Sequence, residues 1–501
     1  MSDKTSYGQI LKSSSIMGGS AGIDLLMGIV RTKFAAVLIG TVGIGLLTNF
    51  MVIRNMVSTI AGLGLHSSGV REIAKAVASD DEQAIGRVVL TLRRMCWLTG
   101  LLGMSVMMAI SPFLSQWALG SGEYTLHIAL LGFIILFENL TNGRMALIQG
   151  MRRIGDIARL NVISATAGTV VAIGFYISFG LQGIAPSLVL IAAIRLVVSW
   201  CFARRVSVPK VEMAWAENFH EANCMVRLGV VMVWTGLIGS VVSYLTIAMI
   251  TKQIDLEAVG IYSAAFALSG MLVNFVLQAM STDYYPRLMA VGDDKTALNR
   301  LVNEQTEIGL LLAVPGLLAT ISLAPWIIHI FFTREFLPAV DLLHWFVLGC
   351  LGRVISWPIG FVMLALGKAK LFLMVETFFH VLHLILIIGG LLAFGIEGVA
   401  IAFFILYIFY TMAMLWIVRI QTGFKWPAAT CKLVFSILPV FVIVFVGSRV
   451  FSIWPATLIG VTATVIVSLL CMRGLVHRIG FEHRLTRAVC RIYGMRTICG
   501  F

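Results

Sequence analysis

Between Ser13 and Ala74, ionisable side chains stand where the surrounding sequence is apolar. Ser13–Ile39 reads as one hydrophobic helix, yet it holds Asp24, Arg31 and Lys33. After a Gly40–Gly45 break, a second apolar segment runs to about Leu65 and carries Arg54 and Asn55 near its middle. An ionised group near a bilayer centre costs about 2.5–3.5 kcal/mol on the mildest scale, so such groups face a bundle interior or a watery cavity. Asp24 and Arg31 are two helical turns apart and project from one face. Two readings stay open: a structural ion pair, or a polar cavity with surplus positive charge for an anionic ligand.

Later apolar segments repeat the pattern. Glu138 lies deep in one of them beside Asn139 and Asn142, Arg195 and Arg353 sit near the middle of two others, and Glu376, His380 and His383 follow i, i+4, i+7 spacing on a fourth. Arg144 is close enough to a segment end for its side chain to snorkel out of the apolar layer. Without it, the segments hold Arg31, Lys33, Arg54, Arg195 and Arg353 against Asp24, Glu138 and Glu376. A cavity for lipophilic cations would lean acidic, and this one leans basic. Arginine suits phosphate, because its planar fork donates paired hydrogen bonds and keeps its charge when desolvated. The expected ligand is therefore phosphorylated or otherwise anionic, bound by Arg31, Arg54, Arg195 and Arg353, with Asp24 and Glu138 in the same site. Histidine titrates near neutral pH, so the Glu376–His380–His383 stripe is a protonatable coupling site or a solvated wall. Three ligands on one helix face are a weak metal signal, and no metal site is expected.

The elements that must carry these residues are membrane helices. The chain has 501 residues, is 59% hydrophobic and 12% charged, and has a mean hydropathy of +0.96, which no soluble class matches. Its net charge of +13 suggests nucleic acid until its placement is considered. Apolar runs bounded by Gly, Pro and charge clusters predict fourteen spans between residues 13 and 472. With both termini in the cytoplasm, only Lys252, Arg334 and Arg449 of the loop Lys and Arg fall outside. That asymmetry follows the positive-inside rule. The charge is topology, and no nucleic-acid partner is expected. Eight cysteines are scattered singly with no CxxC spacing, which predicts neither disulfides nor zinc. The N-terminus has no cleavable-signal architecture and reads as a retained first span. The sequence contains no GxxxxGK[ST], HExxH or GxSxG, so neither an enzyme nor a cofactor is expected.

An internal repeat orders the spans. Gly180-Leu-Gln-Gly-Ile-Ala185 matches Gly395-Ile-Glu-Gly-Val-Ala400 at an offset of 215, while Val42-Gly-Ile44 with Val259-Gly-Ile261, and Gly150 with Gly367, match at 217. The fold expected is an all-α polytopic membrane protein of about fourteen transmembrane helices, with two parallel six-helix repeats and two C-terminal helices. The first half covers 1–205, a cytoplasmic linker 206–227, the second half 228–420, the appended helices 421–472 and a basic amphipathic cytoplasmic tail 473–501. The tail reads as an interfacial helix on anionic membrane lipid. Transporters built from two such halves bind substrate between them and expose it alternately to either side.

Gly28-Ile-Val-Arg31, Gly40-Thr-Val-Gly-Ile-Gly45, Gly62-Leu-Gly64 and Gly69-Val-Arg-Glu-Ile-Ala74 together resemble the N-terminal pattern of the multidrug/oligosaccharidyl-lipid/polysaccharide exporter superfamily, and within it the polysaccharide transporter branch with its O-antigen translocases. The resemblance implies a flippase in the bacterial inner membrane that moves an undecaprenyl-pyrophosphate-linked oligosaccharide from the cytoplasmic to the periplasmic leaflet, with a glycan polymerase as a partner. Lipid II flippases of the superfamily use arginines of the first two helices, at positions similar to Arg31 and Arg54, and also have fourteen spans. A lipid II flippase and a multidrug or cation antiporter are the alternatives.

Overall fold

The computed structural model describes residues 2–479 apart from 80, 210 and 293, and among these residues there is no strand. The helices run in chain order as α1 Ser2–Gly62, α2 Leu65–Ala78, α3 Glu82–Leu119, α4 Thr125–Gly150, α5 Ile154–Phe179, α6 Ile184–Ala203, α7 Trp215–Gln253 and α8 Leu256–Ala290. They continue as α9 Lys295–Ser322, α10 Ala324–Phe331, α11 Ala339–Gly360, α12 Val362–Ala365, α13 Ala369–Thr422, α14 Ala428–Val450 and α15 Ile453–Ile479. Ten helical segments among the described residues are long and apolar enough to cross a membrane. Three of them, 19–62, 154–203 and 369–422, have 44, 50 and 54 residues. At about 1.5 Å per residue each is roughly twice the length that a 30 Å hydrocarbon layer needs.

Each of these three long segments folds back at a glycine. The break expected over Gly40–Gly45 is a single residue, Gly40 (φ 64°, ψ −166°), and helix resumes at once. Gly180 (φ 53°, ψ −129°) and Gly395 (φ 60°, ψ −143°) adopt the same kind of conformation, which side chains with a Cβ avoid. Beside the last two turns the paired helices touch backbone to backbone. A Cβ on Gly183 would lie 2.5 Å from the Phe175 carbonyl oxygen, and one on Gly398 would lie 1.8 Å from that of Gly390. Without water to drive association in a bilayer, such close approach of small residues is what packs helices. Long apolar side chains such as Leu102, Phe275 and Leu392 point away from the packed core and meet acyl chains.

Hydropathy found the apolar stretches but not the helix ends. The polar stretch 67–94 carries most of α2 and the start of α3, and the segment 206–227 becomes helical at Trp215. Asp81 caps α3 by accepting from the Ala84 amide (2.8 Å), and Asp294 caps α9 by accepting from Thr296 (2.9 Å) and Ala297 (3.1 Å). These polar turns extend membrane helices beyond the apolar layer. At the far end α15 runs on to Ile479 and its Arg478 Nε donates to Glu307 Oε2 (2.6 Å). That arginine is held by protein, and residues 480–501 of the expected tail lie outside the described residues.

By packing, the chain divides into two compact units. The first, residues 1–261 with 331–335, is built on a core of α2, α3 and α4 that includes Leu65, Ile73, Leu92, Met95, Leu140 and Leu147. The second, residues 262–330 with 336–501, centres on Tyr284, Leu298, Ile359, Met363, Met414 and Val418.

Candidate functional site: intramembrane charges

In the first unit, α1 and α4 bring Arg54 and Glu138 together. Arg54 Nη1 is 3.0 Å from Glu138 Oε1, and the two side chains are 22% and 27% exposed. Arg54 Nη2 also donates to Asn55 Oδ1 (2.6 Å), and Ser58 Oγ donates to Glu138 Oε2 (3.1 Å). Arg54 and Ser58 are one turn apart on α1, so one helix face supplies both donors to the carboxylate. Arg54 Nε is buried with no partner, so the fork retains a free donor.

Of the two readings left open for Asp24, the ion pair with Arg31 is not formed. Asp24 and Arg31 share a face of α1 but make no ion pair among the described residues. Nor is Asp24 the partner of Arg54. Instead Arg195, exposed on α6, acts through its charge on both Asp24 and His66, and one carboxylate oxygen of Asp24, Oδ1, is buried without a hydrogen bond. Arg31 is half-buried near Tyr176 of α5. Lys33 donates to the Phe332 carbonyl. Sequence spacing puts two charges on one face, but rotamers and neighbouring helices decide whether they meet. His66, at the start of α2, is held below the usual histidine range, chiefly by burial and further by Arg195.

In the second unit the order is reversed. Glu376 of α13 accepts a hydrogen bond from the Tyr410 hydroxyl (2.6 Å), and His380, one turn on, lies within range of its charge. His383 packs its ring against Phe403, with ring centroids 6.1 Å apart. Arg353 of α11 is half-buried near Cys350 and Tyr407, and its guanidinium makes no hydrogen bond or ion pair among the described residues. No group of three metal-ligating side chains occurs among the described residues.

Three partners escaped the sequence reading. Ser58 was findable, one turn after Arg54. His66 carried only a weak signal, a polar residue just past a span. Tyr410 gave none, since it meets Glu376 only because α13 folds back at Gly395. Arg144, expected to snorkel, is half-buried and keeps a buried Nη1 without a partner.

These features can be set beside known proteins. The family described as "Polysaccharide biosynthesis protein" matches residues 38–341, more than half of the chain. The lipid III flippase of Escherichia coli (strain K12) is 22% identical over 422 residues, which covers 80% of this chain and 96% of the relative. The probable low-salt glycan biosynthesis flippase Agl15 of Haloferax volcanii is 23% identical over 285 residues, 56% of this chain and 58% of the relative. Among solved structures, an inward-facing multidrug resistance MATE family transporter of the MOP superfamily has a TM-score of 0.69 at 14% identity, over 82% of this chain and 96% of the other. The lipid II flippase MurJ, in an inward closed conformation, has a TM-score of 0.63 at 16% identity, over 94% and 99%. Those two likenesses concern the fold. With its all-helical membrane architecture and a family match through the arginine-bearing helices α1 and α4, the chain belongs to the polysaccharide biosynthesis protein family, in the polysaccharide transporter branch of the exporter superfamily.

Proposed function

We propose that the protein is a flippase that carries an undecaprenyl-pyrophosphate-linked oligosaccharide from the cytoplasmic to the periplasmic leaflet of the bacterial inner membrane by alternating access. The observation that carries this reading is the surplus of arginine within membrane helices. Arg54 has one carboxylate partner and a spare buried donor, while Arg31 and Arg353 are half-buried and make no ion pair among the described residues. A desolvated guanidinium without a counter-charge favours an anion, and its paired donors match a pyrophosphate. The names of the relatives support a lipid-linked glycan as cargo. The sugar end would meet the neutral polar groups around Arg54, namely Asn55 and Ser58. Glu376 with His380 and His383 is the proposed coupling site, and a glycan polymerase is the proposed neighbour in the membrane.

The proposed architecture is fourteen spans: the ten apolar segments, with three counted twice, and α7. Two six-helix repeats within it are supported by a spacing of 215 residues between helix ends. Gly150 and Ala365, Ile154 and Ala369, and the turns Gly180 and Gly395 all stand 215 apart. The proposed division remains 1–205, 228–420, 421–472 and the tail, with both termini cytoplasmic. Single cysteines at Gln83 and Gln253, in a cysteine-free background, check the orientation in intact cells. An impermeant thiol reagent is expected to modify position 253 and spare position 83, and the opposite pattern overturns the direction of transport.

The decisive experiment is Arg54→Ala, scored together for membrane abundance and for lipid-linked intermediates. Normal abundance with lipid-linked oligosaccharide accumulating in the inner leaflet supports the reading. Accumulation of lipid II instead moves the assignment to the peptidoglycan precursor. Full glycan export with new sensitivity to cationic drugs moves it to the antiporter branch, which the basic charge balance disfavours.

A further inference from the structure

A second arginine site lies away from the groups discussed so far, where α3 crosses α4. Gly143 of α4 packs directly on Cys96 of α3, a Cβ there falling 2.9 Å from the Cys96 Sγ. The crossing sets Arg144, the next residue, level with Arg93, which lies within one helical turn of Cys96. Arg93 is exposed and its charge acts on Arg144. Arg144 is half-buried, and its Nη1 has no hydrogen-bond partner although it is shut off from solvent. Neither arginine is in an ion pair among the described residues. Two like charges at one level with a buried idle donor are unfavourable unless an anion joins them.

The surroundings identify the kind of anion. One and two turns beyond Arg93 on the same face of α3 come Trp97 and Leu101, 44% and 43% exposed, with Leu102 beside them at 62%. Exposed tryptophan marks the headgroup level of a bilayer. On α6, Trp200 is equally exposed and carries the Arg204 guanidinium 3.9 Å over its ring. Residues 198–202 of α6 pack near Met145 and Ile148 of α4, so this second aromatic and arginine pair stands close to the level of Arg144. A charged end at headgroup height followed by an apolar strip along the helix has the layout of a phospholipid.

We propose that Arg93 and Arg144 bind the phosphodiester headgroup of an anionic phospholipid whose acyl chain lies along Trp97 and Leu101. This inference stands on its own and does not depend on what the protein transports. The chemistry is that of a phosphate oxyanion on two guanidinium groups, and the apolar strip assigns the phosphate to a lipid and not to a free ion.

The test uses the full chain purified in mild detergent, with phosphatidylglycerol, phosphatidylcholine or inorganic phosphate added. Native mass spectrometry reads retained lipid, and thermal melting reads stabilisation. Phosphatidylglycerol is expected to be retained and to raise the melting temperature, while phosphatidylcholine and inorganic phosphate do neither. Arg93→Gln and Arg144→Gln are each expected to weaken phosphatidylglycerol binding about fivefold, the worth of one basic residue near an anionic surface. Arg144→Lys is expected to restore part of it. Arg87→Gln, another exposed arginine of α3, is expected to leave it unchanged. If Arg144→Gln fails to accumulate, Arg93→Gln carries the test, because that side chain is exposed. Equal binding by the Arg93→Gln variant and the parent overturns the site, as does equal retention of phosphatidylcholine. Stabilisation by inorganic phosphate that matches phosphatidylglycerol overturns the lipid assignment.

Discussion

Each unit of the molecule contains a membrane-embedded arginine and a membrane-embedded glutamate, and the two units use them differently. In the first, Arg54 and Glu138 neutralise each other at 3.0 Å, with Ser58 completing the carboxylate. In the second, Glu376 is held by the Tyr410 hydroxyl at 2.6 Å, and Arg353 is left without an ion pair. A paired arginine costs less to bury, but it must give up or share its carboxylate when an anion arrives. An unpaired arginine keeps its whole attraction for an anion and pays for desolvation while it waits. A hydrogen bond from a phenol, by contrast, holds a carboxylate without adding charge, which leaves that carboxylate free to take a proton or a cation. Under the proposed function, Arg54 would exchange Glu138 for the anion, Arg353 would meet the anion unpaired, and Glu376 would serve as the coupling carboxylate.

The largest expected effect breaks the first arrangement. Glu138→Ala strands Arg54 in a half-buried setting and is expected to lower stability by about 1–3 kcal/mol, below the usual cost of a broken fully buried pair because both side chains are partly exposed. Membrane abundance falls accordingly. The double variant Arg54→Ala/Glu138→Ala is expected to recover abundance and still not export glycan. Recovery of both would make the pair structural and remove Arg54 from the transport site.

Next in size is the carboxylate of the second unit. Tyr410→Phe deletes the hydrogen bond to Glu376, a loss of about 1 kcal/mol. The melting temperature is expected to fall, and glycan export with it. Unchanged export would remove Glu376 from the proposed coupling role.

Arg353→Gln sharpens the contrast from the other side. With no ion pair to lose, this variant is expected to melt within about 0.5 kcal/mol of the parent, as substitutions away from a broken interaction do. Glycan export is nonetheless expected to fall. A strong loss of stability would reveal a structural partner and erase the difference between the units.

The smallest effect concerns His66, near the charges of the first unit. Its folded-state pKa is lowered, chiefly by burial and further by Arg195. Above the ordinary histidine range both folded and unfolded chains carry it neutral, and it has no pH effect. As pH falls through that range the unfolded chain takes up the proton first, so stability declines with acid. Melting the parent and His66→Gln at pH 7.5 and 5.5 is expected to show a smaller acid loss in the variant. Identical losses would show that the histidine contributes nothing to the acid response.

Composition and hydropathy alone determined that this is a helical membrane protein, because apolar runs of span length have no other stable state in lipid. The glycine turns at Gly180 and Gly395 were also legible, since only glycine tolerates the backbone found there. The basic lean of the intramembrane charges could likewise be counted from the sequence. Helix ends were not legible in hydropathy. The caps at Asp81 and Asp294 prolong α3 and α9 through polar residues, and hydropathy reports the apolar layer instead of the helix. Pairing was beyond the sequence as well. Asp24 and Arg31 share a helix face yet stay apart, while Arg54 and Glu138 lie 84 positions apart in the chain and meet at 3.0 Å. Spacing along one helix fixes only the direction in which a side chain leaves it. Which group it reaches depends on the neighbouring helix, and that neighbour is chosen by close packing between helices, a property of the assembled fold.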